Sequence, residues 1–580
     1  MKISILAFTL LCSPHAASLN LYKNYVLKDS HVVPATWTQL HRADPDHVLN
    51  IRIGLKQNSF DELEKRLYEV SDPAHKLYAH HLSQQEVQRL VAPSNDALLV
   101  VHSWLERNEV SLTNIQHSPA KDWVSIPMPV SKAEYLLQTQ YYAYEDEQGV
   151  KIIRTPQYSL PAALHGHIDV VQPTNYFGNP TAMRRPFRLS SDQPVSRINE
   201  HQLEHSEHVS PAHGRTDVQR VCNESAVSNQ CLRTLYRTVD YVPQAPYLNE
   251  VAMTAFLKET ANISDFHLFL SRFRPDASQD YTYNYTTINS GPNNQAPLPK
   301  QLLGLLDVEA NLDSQTIGGF VYPTEMRVYS TGGKPPFNKD KFTPTDSNEP
   351  YLEWLTYLTS LEQLPHTIST SYGDDEQTVP YSYAKRVCEE FAQLGARGVS
   401  LFFASGDDGV GHNGTCVSND GKKTRMFVPE FPASCPYITT VGGTRGFEPE
   451  VVAFDTANGY VSGSGLSNYF ARPIYQDHAV SAYLASIGDL HAGLYNATGR
   501  AYPALSAQGY KYLIVYAGYN ITVDGTSAAT PCATSVFTLL NDALIAAGKK
   551  PLGFLNPRLY KDLHKGLNDV TMGSTWGCNT

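Results

Sequence analysis

The stretch Gly398-Val399-Ser400-Leu401-Phe402-Phe403-Ala404-Ser405-Gly406-Asp407-Asp408-Gly409 decides how the chain is read. An apolar run of strand length breaks into a Gly/Asp turn, the pattern of a buried strand that projects an acid at its carboxyl edge. Thr367–Ser371 and Tyr437–Val441 are further short apolar runs, and Tyr383–Leu394 has helical spacing between two of the strands. Strands alternating with helices predict a parallel α/β sheet with helices on both faces. Open sheets of that kind place their sites beyond the carboxyl ends of the strands, which makes Asp407 a candidate. Taken alone, the turn would be an ordinary Asx turn.

Toward the N-terminus the pattern changes. Residues 19–160 predict a compact α+β unit, with a strand at Val48–Leu55 and amphipathic helices at Asp61–Val70 and Asp96–Glu106. Ser83 followed by Glu86 predicts a helix start with a capping box. Across residues 174–216 Asn, Pro, Arg, Ser and His dominate and apolar periodicity disappears, which predicts an exposed, protease-accessible linker. At the very start, Met1–Lys2, an apolar run Ile3–Cys12 and small residues near Ala17 make a secretory signal peptide, too short to span a membrane.

The 580 residues carry net charge −11 with 42% hydrophobic and 18% charged residues, which excludes a largely disordered chain. An acidic balance without clustered Lys and Arg argues against nucleic acid as a partner. No apolar window reaches the ~20 residues of a transmembrane segment. N-x-S/T sequons at Asn223, Asn262, Asn284, Asn413, Asn496 and Asn520 agree with a secreted, extracellular glycoprotein. After loss of Cys12 the cysteines number seven, an odd count for an oxidising compartment, and Cys222 and Cys231 would close a short local disulfide loop. No Cys or His spacing suggests zinc.

Two more patterns carry chemistry. Gly525-Thr526-Ser527-Ala528-Ala529-Thr530-Pro531 places a Ser where a glycine turn enters the helix-like Ser535–Ala547. The helix dipole and free amides there favour a nucleophile and an oxyanion, although by itself the Ser would serve as a cap. In Glu309-Ala310-Asn311-Leu312-Asp313 the carboxylates share a helix face, between apolar runs that make a solvated acidic face less expected. Like charges so placed tend to share a proton, and a raised carboxyl can act as a base in acid.

EANLD, ASGD and GTSA in this order resemble the sedolisin family of serine-carboxyl peptidases, a subtilisin-like fold in which Glu and Asp replace His and Asp. Residues 71–87 are similar to the family's inhibitory prodomain, and ISTSYGDDE (368–376), TVGGT (440–444), SGSGLSNYF (462–470) and GRAYP (499–503) follow its peptidase pattern. The resemblance implies a signal peptide over 1–17, an inhibitory prodomain over 18–183, a linker and processing region over 184–212, and a peptidase domain over 213–580. It implies Ser527 as nucleophile, Glu309 as base, Asp313 as its partner, Asp407 as the oxyanion acid, and Ser462, Gly463, Ser464 and Gly465 along the substrate cleft. The activity implied is an acid-active release of tripeptides from free N-termini of peptide or protein substrates, with the prodomain as inhibitor. An endopeptidase of the same chemistry, or a non-catalytic protein on a decayed peptidase fold, are the alternatives. His165-Gly166-His167-Ile168-Asp169 is superficially similar to a subtilisin His motif, but it lies upstream of the linker.

The family also implies one Ca²⁺, whose site begins at an Asp-Val pair matched by Asp569 and Val570 and continues into a downstream Gly-Trp-Asp segment not found here. With the odd cysteine count, this leads to the expectation of a chain some tens of residues short at its C-terminus, with Cys578 or its partner lacking a mate. Ala504 after Tyr-Pro and Asp524 before Gly-Thr-Ser are smaller departures.

Overall fold

The computed structural model describes residues 22–34, 37–146, 151–177, 181–182, 216–332, 350–411, 416–420 and 422–578. The expected signal peptide (1–17), the linker (184–212) and the sequon at Asn413 lie outside the described residues. Two compact units result. The first takes the described residues of Met1–Asn58 and Ala92–Tyr176, and the second those of Ser59–Val91, Phe177–Lys334 and Asp346–Thr580.

The first unit is built on an antiparallel sheet in the order Gln116–His117, Trp123–Pro129, Val48–Leu55, Ile168–Gln172. Ile51, Ile53 and Leu55 are buried with Val101, Trp104 and Leu105 of helix Asn95–Arg107. That helix starts where the sequence predicts, because Ser94 accepts from Ala97 N at 3.1 Å. His165 belongs here and is a structural residue: its Nε2 lies 3.2 Å from the carbonyl oxygen of Val26.

The second unit carries the α/β sheet. Its order is Asn284–Ile288, Glu325–Thr331, Glu250–Ala255, Thr367–Thr370, Ser400–Ala404, Thr439–Arg445, all parallel. Leu505–Gln508 extends it in parallel beside Thr439–Arg445, and Val451–Val452 closes the edge antiparallel. Helices Ile263–Phe273, Val308–Val321, Pro350–Ser360, Tyr381–Ala396 and Thr526–Ala546 accompany the strands. Every residue of Val308–Val321 is buried, which is why its sequence shows no amphipathic stripe.

Segment Ser59–Val91 packs within this second unit. Its helix Gln84–Val91 begins with the predicted capping box: Ser83 N donates to Glu86 Oε2 at 2.8 Å, and Glu86 N to Ser83 Oγ at 3.3 Å. The Tyr437 hydroxyl donates to Glu64 at 2.7 Å, Lys561 to Asp72 at 2.6 Å, and Arg558 to the Tyr78 hydroxyl at 2.9 Å. The His81 ring fills space left by two glycines. A Cβ on Gly398 would lie 2.5 Å from its Nδ1, and one on Gly553 the same 2.5 Å from its Nε2.

Disulfides join Cys222 to Cys231, Cys388 to Cys435 and Cys416 to Cys578. The expectation that Cys578 or its partner lacks a mate is therefore corrected. Residues 576–577 fold back against the 408–411 turn, which brings Cys578 to Cys416, and among the described residues the unpaired thiol is the buried Cys532. Of the sequons, Asn262 is turned inward: its Oδ1 accepts from Asp265 N at 3.1 Å and its Nδ2 donates to the Gln295 carbonyl at 3.1 Å.

Candidate active site

The acid helix Val308–Val321 enters from a left-handed residue, Asp307 (φ 72°), a conformation Asp tolerates better than most residues. Glu309 and Asp313 follow one turn apart, both with no exposed surface. Burial raises the Asp313 carboxyl well above the usual carboxylate range, and the charge of Glu309 beside it raises it further. Ser371, at the end of strand Thr367–Thr370, donates to Asp313 Oδ1 at 3.2 Å and partly opposes that rise.

The acid helix packs on the serine helix Thr526–Ala546. There Gly525 occupies the cap position without a side-chain bond, so neither Thr526 nor Ser527 is the cap that an isolated reading suggests. Thr526 instead binds Asp407: its N and Oγ1 both donate to Asp407 Oδ1 at 2.8 Å. Gly406 N closes the turn onto Thr526 Oγ1 at 3.2 Å. Asp407, 5% exposed, is thus anchored one residue from the fully buried Ser527.

The Ser462–Gly465 segment lies against the same turn. Gly463 N donates to Gly406 O at 2.7 Å, Ser464 N to Gly409 O at 3.2 Å, and Ser462 Oγ accepts from Gly443 N at 2.9 Å. A Cβ at Gly463 would sit 2.3 Å from the Ser405 carbonyl, so only glycine permits the approach. The resemblance places Ser462–Gly465 along the substrate cleft; in the structure the Gly463 and Ser464 amides hold the turn that carries Asp407. Gly465 begins strand Gly465–Ala471 opposite Tyr502.

The structure adds acids that the sequence reading missed. Strand Tyr372–Asp375 pairs with Glu430–Phe431, setting Asp375 opposite Glu430. Burial raises the Glu430 carboxyl well above its ordinary value, and the charges of Asp375, Asp374, Asp408 and Asp407 add to it. Glu376, bonded to the Ser467 hydroxyl and the Asn468 amide, is pushed up to about 7 by burial. GDDE was visible as a motif, but nothing near Glu430 marked it, because antiparallel pairing of a two-residue strand leaves no periodic signal.

Asp569 stands exposed beside Val570. Among the described residues no group of three or more His, Cys, Asp or Glu side chains is placed to hold a metal ion. Calcium takes ~6–8 oxygens, so this pair by itself does not fit one.

The pro-kumamolisin activation domain matches residues 35–177, and the subtilase family matches residues 314–550. Tripeptidyl-peptidase SED2 of Arthroderma otae is 37% identical over 577 residues, 98% of this chain and 91% of that protein. Tripeptidyl-peptidase sed4 of Aspergillus fumigatus is 35% identical over 560 residues, 94% of this chain and 87% of that protein. Among solved structures, a Pseudomonas sedolisin, a serine-carboxyl proteinase complexed with pseudo-iodotyrostatin, aligns at TM-score 0.44 and 19% identity, covering 61% of this chain and 90% of that one.

Proposed function

The chain belongs to the sedolisin family of serine-carboxyl peptidases, made as a zymogen with an activation domain, and on that footing we propose that it releases tripeptides from free N-termini in acid. The observation that carries this reading is the burial of the Glu309–Asp313 pair on a helix packed against the one that carries Ser527 in its first turn, beside the Asp407–Thr526 bond. Ser527 Oγ attacks the scissile carbonyl carbon while its proton passes to Glu309. The C–N bond then breaks as Glu309 returns that proton to the leaving amine, and water repeats the sequence on the acyl-enzyme. Asp313 orients Glu309 and, through its raised affinity for a proton, favours the shared-proton state. Asp407, protonated, donates to the tetrahedral oxyanion from the oxygen opposite Oδ1.

The acids Asp374, Asp375, Asp408 and Glu430 support the exopeptidase reading, since a cluster of carboxyls suits the ammonium of a free N-terminus. Secretion is supported by the disulfides, and segment Ser59–Val91 supports inhibition by the activation domain until acid processing. No helix among the described residues is long and apolar enough to cross a membrane. Calcium beginning at Asp569 and Val570 would need oxygen ligands beyond that pair and takes no part in these steps; metal analysis of the purified protein tests it.

The activated protein is to be incubated at about pH 4 with matched peptides, one free and one acetylated at the N-terminus. Release of a tripeptide from the free peptide alone is expected. Internal cleavage of the acetylated peptide would instead assign an endopeptidase.

A further inference from the structure

The first turn of the acid helix is held from outside the helix. Its cap residue, Asp307, makes no side-chain cap bond; its Oδ1 accepts from Thr260 N at 2.7 Å. The neighbour of Thr260 answers in the opposite direction. Glu259 Oε2 accepts from Glu309 N at 3.1 Å and from Ala310 N at 3.4 Å. Asn311 continues the lacing: its Oδ1 accepts from Asn262 N at 2.8 Å and its Nδ2 donates to Asp265 at 3.2 Å. The segment after strand Glu250–Ala255 and the start of the acid helix are thus tied reciprocally, and Glu259 closes the pair at the residue that carries the proposed base. Glu259 is 5% exposed. Two amide donors at the positive end of a helix suit an ionised carboxylate.

We propose that Glu259 is a positioning residue for Glu309: its carboxylate fixes the first turn of the acid helix and sets a third buried negative charge beside the Glu309–Asp313 pair. The role rests on the reading of Glu309 as base. The groups that act on the Asp313 carboxyl are Glu309 from its own helix, Ser371 and Glu259, and the hydroxyl of Tyr372 feels all three acids. A negative charge added there favours the protonated form of the pair, so Glu259 extends activity toward higher pH while holding the base in register.

The two parts of the role separate by substitution in the full, activated chain, reading kcat and kcat/KM against pH on a free-N-terminal peptide. Glu259→Gln keeps an acceptor for the amides and removes the charge. The limb on which activity falls with rising pH is expected to move down by about one pH unit, with kcat in acid within about threefold of the parent. Glu259→Asp keeps the charge and withdraws the oxygens by one carbon, so kcat is expected to fall by about tenfold with the limb unmoved. A Gln profile that overlays the parent, or the same profile from both variants, overturns the proposal. Glu309→Gln distinguishes the failures: if it retains turnover, the base assignment falls, whatever Glu259 does. Should Glu259→Gln not fold, the Asp variant decides alone, since parent-like kcat there removes the positioning role.

Discussion

Around Glu376 and Glu430 burial raises acids, and at the seat of His81 it lowers a base. Glu376 is pushed up to about 7 from 4.5, whereas His81 is pushed down to about 4 from 6.5 by its burial and by the charges of His366, Lys550 and His80 around it. Folded Glu376 keeps a proton that the unfolded chain loses between these values, so its contribution is full below about pH 4.5 and lost as pH rises through about 7. His81 is the reverse. The released ring takes a proton that the packed ring refuses, so its contribution is full above about pH 6.5 and lost as pH falls toward about 4. Both regions lie in the second unit, yet acid is expected to stabilise the surroundings of Glu376 and to weaken the seat of His81 in segment Ser59–Val91. A single variable can therefore act on a zymogen in two directions, because charge burial penalises anions and cations at opposite ends of the pH scale.

Ser527→Ala is expected to lower kcat by about 10⁴-fold or more on a free-N-terminal peptide while leaving the acid release of the segment in place. Residual turnover near the parent's would remove Ser527 from the chemistry. Asp407→Ala should follow at about 10²–10³-fold in kcat with KM little changed, measured by steady-state kinetics in acid; a loss under tenfold would mean that another group meets the oxyanion.

At the other region, His81→Gln takes away the titrating ring. In the parent, exchange protection of Ser59–Val91 is expected to weaken by roughly 3 kcal/mol between pH 6.5 and 4, the equivalent of the His81 shift, and in the variant that dependence should vanish. Hydrogen exchange read by mass spectrometry checks it, and an unchanged pH dependence would place the switch elsewhere. The smallest effect is expected for Lys561→Met. Lys561 and Asp72 are 48% and 42% exposed, so their pair is worth no more than about 1 kcal/mol in thermal unfolding at neutral pH. The lysine holds Asp72 below the ordinary carboxylate range, so even that contribution fades as pH falls through it.

Much of the scaffold was legible because its signals are local. Strand Val48–Leu55, helix Asn95–Arg107, the Ser83–Glu86 box and strand Ser400–Ala404 follow from period, length and caps within a few residues. Asp407 and Ser527 stood out because each sits where an element ends or begins at a glycine turn, and Glu309 and Asp313 because two carboxylates share one helix face between apolar runs. Glu430 and Glu259 did not stand out, since each is an ordinary acid in sequence and joins the site only through strand pairing or a bond to another helix.

The sequence by itself determined the order of strands and helices, the chemical inventory of the site and the kinship with the sedolisins, because these reside in periodicity and short motifs. Only the tertiary structure decided which cysteine is left single among the described residues, which acids gather around Glu430, that segment Ser59–Val91 packs in the unit of the α/β sheet, and that the Gly463 and Ser464 amides serve a turn. Those outcomes depend on sheet order and on close approaches between residues tens to hundreds of positions apart. Burial then sets their proton affinities, and burial belongs to the folded whole rather than to any stretch of chain.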